Sequence, residues 1–329
     1  MTLTAAQHLR QGWSSVLQSG IATFLGAPYV QPSQDILRQN GVRAAFLGVP
    51  FDSTSIARPG SSLGPRAIRD ASSHLLSYHE EYDVDLFETL GLADCGDVPV
   101  LPGNARVTLE RTQDLVTEIL AADAIPVLAG GEHLITVGGT WGVNKGRPGN
   151  YGFIMFDTHL DTAMDVGGET LNHCCPVPRT LELDSFQPEH CVIIGPHGAM
   201  NPKAEKDYVR EHGIKVYSTK DVARMGPVQV AEEAVRRASE GTDGVYVSVD
   251  MDSLDAAYAP GTCVPTLGGL TGRELLTMLD VIGRGVKLIG LDVVEIAPQY
   301  DTGITAFGAC QVLVDTLAAY ATRSRSYSA

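Results

Sequence analysis

Gly152-Phe153-Ile154-Met155-Phe156-Asp157-Thr158-His159-Leu160-Asp161 joins an unbroken apolar run to three ligand-type side chains in alternation. An apolar run of this kind suits a strand buried on both faces, because a strand with one face in water alternates polar with apolar. The Asp-x-His-x-Asp after it would set its side chains on one side of an extended segment at the strand's carboxyl end. Comparable runs at 44–49, 125–128, 191–194, 214–217, 244–249 and 287–293 are expected strands, as is 152–156 itself. Segments of helical period lie between them, at 65–76, 107–122, 202–212, 228–239, 271–284 and 302–321. Pro65 suits a first helical position, and Thr271 with Glu274 forms a capping-box pattern. Strand and helix alternate, which predicts a mostly parallel sheet with helices on both faces. The least regular stretch is 161–189. There is no internal repeat, low-complexity tract or linker, so a single domain is expected.

Composition agrees with a globular chain: of 329 residues, 44% are hydrophobic and 19% charged. The formal charge of −15 would repel a phosphate backbone and steer cationic small molecules inward, so no nucleic-acid partner is expected. Arg10 is the only Lys or Arg before Arg38, and the stretch lacks the basic cluster, apolar run and cleavage site of a secretion signal. No apolar stretch is read as reaching the roughly 18 residues of a membrane span. The expectation is a cytoplasmic protein with no membrane partner. Its six scattered cysteines match neither a disulfide framework nor a paired zinc motif, so reduced thiols are expected.

In parallel α/β folds ligands bind in the crevice at the carboxyl ends of the strands. Three runs end in polar clusters: Gly130-Gly131-Glu132-His133 after 125–128, Asp157-Thr158-His159-Leu160-Asp161 after 152–156, and Asp250-Met251-Asp252 after 244–249. Alone, Gly-Gly-Glu-His reads as a tight turn opening a helix, and Asp-x-Asp as a solvated strand end. Gathered at one sheet edge, the carboxylates would repel unless cations neutralised them. Oxygen donors with a minority of imidazoles and no thiolate suit Mn²⁺ best, with Ni²⁺, Co²⁺ or Zn²⁺ as alternatives. There are more carboxylates than one ion needs, which predicts two divalent metal ions per subunit sharing aspartates.

These segments resemble the three signatures of the ureohydrolases, the family of arginase, agmatinase and guanidinobutyrase. Gly48-Val49-Pro50-Phe51-Asp52, Arg58-Pro59-Gly60, Gly64-Pro65-Arg66, Pro260-Gly261-Thr262 and Gly268-Gly269-Leu270-Thr271 resemble further segments of that family. The likeness runs from about residue 40 to 315, leaving 1–40 as an amino-terminal extension of a single 1–329 domain. It implies a three-layer α/β/α fold and a trimer or hexamer. It also implies a hydrolase that cleaves a guanidino C–N bond to give an amine and urea or a urea derivative. His133, Asp157, Asp161 and Asp250 would hold one metal ion and Asp157, His159, Asp250 and Asp252 the other. His173 would carry protons to the leaving nitrogen, a role open also to Asp161, and Glu295 would hold the guanidinium.

Three positions depart from the family pattern: His173 is followed by Cys174-Cys175-Pro176, Leu254-Asp255 by Ala256, and Gly261-Thr262 by Cys263. The departures place Cys174 in an altered substrate pocket. The loop expected to face the substrate tail, Met164-Asp165-Val166-Gly167-Gly168-Glu169-Thr170-Leu171-Asn172, offers two carboxylates but neither Lys nor Arg. A cationic or neutral guanidine, such as agmatine, a small N-alkyl guanidine or a biguanide such as metformin, is therefore expected. The alternatives are a guanidino acid hydrolase and a scaffold subunit paired with an active paralogue. A dinucleotide-binding oxidoreductase is discounted because no GxGxxG follows the first strand.

Overall fold

A computed structural model describes residues 21–323. One sheet holds eight strands, β1 Ala44–Gly48, β2 Ala93–Asp97, β3 Ile125–Ala129, β4 Tyr151–Phe156, β5 Phe186–Ile194, β6 Lys215–Tyr217, β7 Gly244–Asp250 and β8 Leu288–Val294. Their order is β2-β1-β3-β8-β7-β4-β5-β6, and every neighbouring pair is parallel. The chain lays down β1 to β3 on one side and β4 to β6 on the other, then inserts β7 and β8 between β3 and β4. Parallel pairing sends each connection back across a face, so both faces are covered.

The main helices are α1 Gly64–Ser72, α2 Ala105–Ala121, α3 Ile135–Gly146, α4 Lys203–Glu211, α5 Pro227–Ser239, α6 Gly272–Gly285 and α7 Ile304–Thr322. Side chains alternate along each strand and divide the interior into two cores. Phe46, Ile154, Phe156 and Val247 pack with α1, α5, α6 and α7, whereas Leu47, Phe153, Met155 and Tyr246 pack with α2, α3 and α4. The three-layer α/β/α arrangement expected from the sequence is the one observed. The capping box forms at Thr271 and Glu274, and Pro65 sits in the first turn of α1.

Two elements escape the hydrophobic pattern. Strand β2, Ala-Asp-Cys-Gly-Asp, carries acids because it lies at the sheet's edge and holds Arg69 of α1. Helix α3, which the sequence pattern does not single out, contains Gly138, Gly139 and Gly142. Gly138 and Gly142 let α3 approach α2, since a Cβ at Gly138 would lie 2.7 Å from Thr112 Cβ and one at Gly142 2.5 Å from Val116 Cβ, and Gly139 lets it approach Tyr246 of the sheet. Within 161–189 the structure adds only a short helix, Pro176–Leu181, before β5. One expectation is corrected: α7 has 19 residues and a mean hydropathy of 1.4, long and apolar enough to cross a membrane by length and composition. Asp315 is its sole charged residue, and 67% of that window is buried inside the protein against α6 and the sheet.

Of the 1–40 extension, residues 1–20 lie outside the described residues. The rest of it is tied to the fold: Phe24 stacks on Phe46 at 4.5 Å, and its N–H donates to Asp94 at 2.8 Å. Arg69 donates to both oxygens of Asp94 at 2.8 and 3.0 Å and to Asp97 at 2.7 Å. These bonds fasten α1, β2 and the 24–27 segment at one buried point. Asp94→Ala would leave a buried guanidinium with one carboxylate partner in place of two. Stability should fall by about 3 kcal/mol, read as a shift in the denaturant midpoint at constant slope; a shift below about 1 kcal/mol would refute this role.

Candidate metal centre

Strand register brings the site together. Ala129 pairs with Val293, Val293 with Val249, and Val249 with Phe156, so the four central strands end at one level. The next residues are Gly130, Val294, Asp250 and Asp157. After β3 the chain turns sharply through Gly130 and Gly131, at φ +67° and +84°. A Cβ on the first would lie 2.5 Å from Pro65 Cδ and on the second 2.3 Å from the Val49 carbonyl, so both positions require glycine. The turn carries His133 over the sheet edge, with Nδ1 2.9 Å from Asp157 Oδ2, 3.0 Å from Asp161 Oδ2 and 3.3 Å from Asp250 Oδ2. Beside it, His159 Nδ1 stands 3.1 Å from Asp157 Oδ1 and 3.4 Å from Asp252 Oδ2. Two ligand groups result, His133–Asp157–Asp161 and Asp157–His159–Asp252, sharing Asp157.

The charges call for cations. Asp157, Asp161, Asp250 and Asp252 are each at most 5% exposed. Burial and then the neighbouring carboxylates raise Asp161 and Asp252, and push Asp250 up to about 7; burial opposes charge on Asp157 too, but both histidines hold it well below the usual range. Burial disfavours a charged His159 ring, yet the surrounding aspartates push it up to about 12. Positive charge is thus demanded among these groups, and either protons or metal ions can supply it. Hydrogen bonding beyond the cluster favours metal. Tyr246 and Ser248 both donate to Asp292, at 2.8 and 2.6 Å, which leaves the Ser248 oxygen 3.0 Å from His133 Nε2 to accept its proton. The Nδ1 lone pair then faces the carboxylates. His133 Nδ1 and Asp157 Oδ2 are buried and, although 2.9 Å apart, neither forms a hydrogen bond, as expected of atoms that face a cation. Oxygen and imidazole donors without thiolate fit divalent ions of the hard to intermediate class.

Glu295 follows β8 and is 3% exposed. Its Oε1 accepts from the His133 N–H at 2.8 Å and lies 3.4 Å from His173 Nδ1, while Oε2 is buried with no partner. Burial opposes its charge, but His173 and the Cys263 thiol hold it below the usual range. The Ile56 N–H donates to His173 Nε2 at 3.3 Å, which places the ring proton on Nδ1 toward Glu295. Asp161 and Glu295 have positive φ, 49° and 63°, a strained backbone for residues with side chains. Both line one cavity of about 890 Å³ with His133, His159, His173, Asp250 and Asp252.

The structure therefore brings together all six expected metal ligands, His173 and Glu295. Cys174 also lines this cavity, and all six cysteines are free thiols. Asn172 stands apart from the cavity lining. Its Nδ2 donates to the Thr54 carbonyl at 3.1 Å and its Oδ1 accepts from the Cys174 N–H at 3.0 Å, so it braces a loop. Of the expected tail loop only Met164, Asp165 and Val166 reach the cavity. Its outer wall comes instead from α4, through Glu205, Tyr208 and Glu211, together with Ile56, Met200 and Val264. Nothing local in the sequence marks those residues. The α4 segment comes after β5, whose neighbour in the sheet is β4, and only the strand order sets it beside Asp161.

Comparison with known proteins agrees with this geometry. The profile of the Arginase family matches residues 42–319. Over 301 residues the chain is 34% identical to the human mitochondrial guanidino acid hydrolase, covering 91% of this chain and 83% of that protein. It is 34% identical to the agmatinase of Bacillus subtilis over 262 residues, 78% of this chain and 84% of that one. The structure of proclavaminate amidinohydrolase from Streptomyces clavuligerus superposes with a TM-score of 0.82 at 29% identity, covering 93% of this chain and 98% of that one.

Two divalent ions per chain should be counted by elemental analysis after reconstitution with Mn²⁺ or Ni²⁺. Asp250→Ala should lower that count and abolish hydrolysis. A native count together with a native rate in this variant would exclude the ligand set.

Proposed function

The chain belongs to the arginase family of metal-dependent hydrolases, and from that premise we propose that it hydrolyses a guanidine with a cationic or neutral tail. Agmatine, a small N-alkyl guanidine or a biguanide such as metformin fits this description. The observation that carries the reading is the cavity wall. Glu205, Asp165 and Glu211 supply carboxylates, Met164, Val166, Met200 and Val264 supply apolar surface, and no described residue of the lining is Lys or Arg. A carboxylate tail would lack a cationic partner there. Glu205 has one backbone donor, the Thr162 N–H at 3.1 Å. Burial and then Asp161 push its carboxyl up to about 7, so a cation beside it would favour the charged form.

Two divalent cations held by His133, Asp157, His159, Asp161, Asp250 and Asp252 would lower the pKa of water in the site. The remaining roles fall to the chain. The unpartnered Oε2 of Glu295 accepts from the guanidinium N–H groups, fixing the planar cation. Water adds to the guanidino carbon, and the C–N bond to the departing nitrogen breaks once that nitrogen is protonated. His173 delivers this proton, with Asp161 as the second donor in reach of the same cavity. An amine and urea, or a urea derivative, result. A second reading, hydrolysis of a guanidino acid, draws support from the 34% identity to the human guanidino acid hydrolase. A scaffold role is disfavoured because every ligand position is kept. Self-association is supported by the exposure of Tyr258, Ile304 and Phe307 along one groove, at 47%, 54% and 43%, and the trimer or hexamer is what the family resemblance implies.

His173→Asn should retain both metal ions while turnover slows by about 10² to 10⁴; an unchanged rate would remove His173 from the chemistry. Urea release from a substrate panel at fixed metal loading tests the tail. Agmatine, methylguanidine and metformin should include the substrate of highest kcat/KM, with arginine and guanidinobutyrate below it. Preference for either carboxylate substrate would overturn the reading of the wall and leave the family assignment intact.

A further inference from the structure

Glu132 is the one residue of Gly130-Gly131-Glu132-His133 that neither the turn nor the proposed ligand set uses. It is fully buried and forms no ion pair with Lys or Arg among the described residues. Both its oxygens are spent on one residue, Thr54: Oε2 accepts from the Thr54 N–H at 2.9 Å and Oε1 from the Thr54 hydroxyl. Thr54 in turn meets the segment that carries His173. Its hydroxyl oxygen accepts from the His173 N–H at 3.0 Å, and its carbonyl accepts from Asn172 Nδ2 at 3.1 Å. Two residues on, the Ile56 N–H reaches the His173 ring at Nε2.

From this chain of contacts we infer that Glu132 and Thr54 are positioning residues that clamp the 54–56 loop and the 172–174 segment together and fix the His173 ring between Ile56 and Glu295. The inference rests on the reading of His173 as the proton carrier. Its physical basis is that a buried carboxylate aimed at solvent-side loops is costly unless fully bonded, and here its bonds go to the residue that holds those loops. Thr54 is half-buried, and Ile56 beyond it is exposed at 64%, so packing alone does not fix this loop. A hydroxyl that donates to Glu132 while accepting from His173 N–H ties both sides of the cavity at one atom.

The decisive variants are Thr54→Val, which removes the hydroxyl at nearly constant shape, and Thr54→Ser, which restores it. With Thr54→Val, amide exchange across 171–175 should quicken at least tenfold and kcat should fall about tenfold. KM should change less than threefold, and the metal count should stay at two. Thr54→Ser should bring exchange and kcat back to within about threefold of native. Glu132→Leu should reproduce the kcat loss, and the double variant should lose no more than the larger single loss, because the two residues act as one unit. Native kcat in Thr54→Val while His173→Asn is slow would overturn the clamp alone. If His173→Asn turns over at the native rate, the assignment of His173 fails and the clamp has no catalytic role. Losses that multiply in the double variant, or Thr54→Ser as slow as Thr54→Val, would also refute it.

Discussion

Four aspartates buried within reach of two imidazoles cannot all ionise unless positive charge lies among them, and the architecture is arranged around that constraint. A carboxylate placed alone in such surroundings would simply keep its proton. Holding several together requires rigid supports that end at one level, which the parallel register of β3, β8, β7 and β4 provides. The late insertion of β7 and β8 between β3 and β4 is what brings Asp250 beside Asp157 and Glu295 beside His133. The left-handed backbone at Asp161 and Glu295 shows the same pressure locally, since both residues accept strain to reach the cavity.

This constraint also explains which parts of the site can be read from sequence. Asp157, His159 and Asp161, and likewise Asp250 and Asp252, sit at spacings of two directly after apolar runs, so strand geometry alone groups them. Glu295 and His173 carry no such mark. Glu295 touches the His133 N–H across 162 residues of chain, a contact closed only by pairing β8 with β3. These two residues are therefore reachable through family resemblance and not through pattern. The wall built by α4 is legible by neither route. Glu205 lies in the first turn of an ordinary amphipathic helix, and its place beside Thr162 depends on β5 lying next to β4.

Within the fold the same division holds. Strands with apolar runs are legible because burial on both faces leaves no freedom in residue type. Strand β2 is illegible because edge position relaxes that demand and Arg69 imposes another, two acids in five residues. Helix α3 is illegible because its glycines serve close approach to α2 and to Tyr246 of the sheet and carry no helical signal of their own. In each case a tertiary partner overrides the local signal, and the partner is distant in sequence.

Two departures from the family pattern fall next to the residues proposed to handle the guanidinium. Cys174 neighbours His173, and the Cys263 thiol lies beside Glu295, so a thiol flanks each residue that would handle the guanidinium. Neither thiol is poised as a nucleophile, since burial raises both and Cys263 also faces the Glu295 carboxylate. Cys174 gives the cavity small, polarisable, weakly polar surface, and Cys263 packs behind Glu295. Such surface adds no charge and few hydrogen bonds, so affinity at this end must come from Glu295 and shape. On the proposed function, the α4 wall would supply the electrostatic selection at the other end of the cavity. A substrate read this way would be recognised by positive charge and apolar contact, a coarser filter than a set of directed polar bonds and one suited to compounds that present little besides a guanidine.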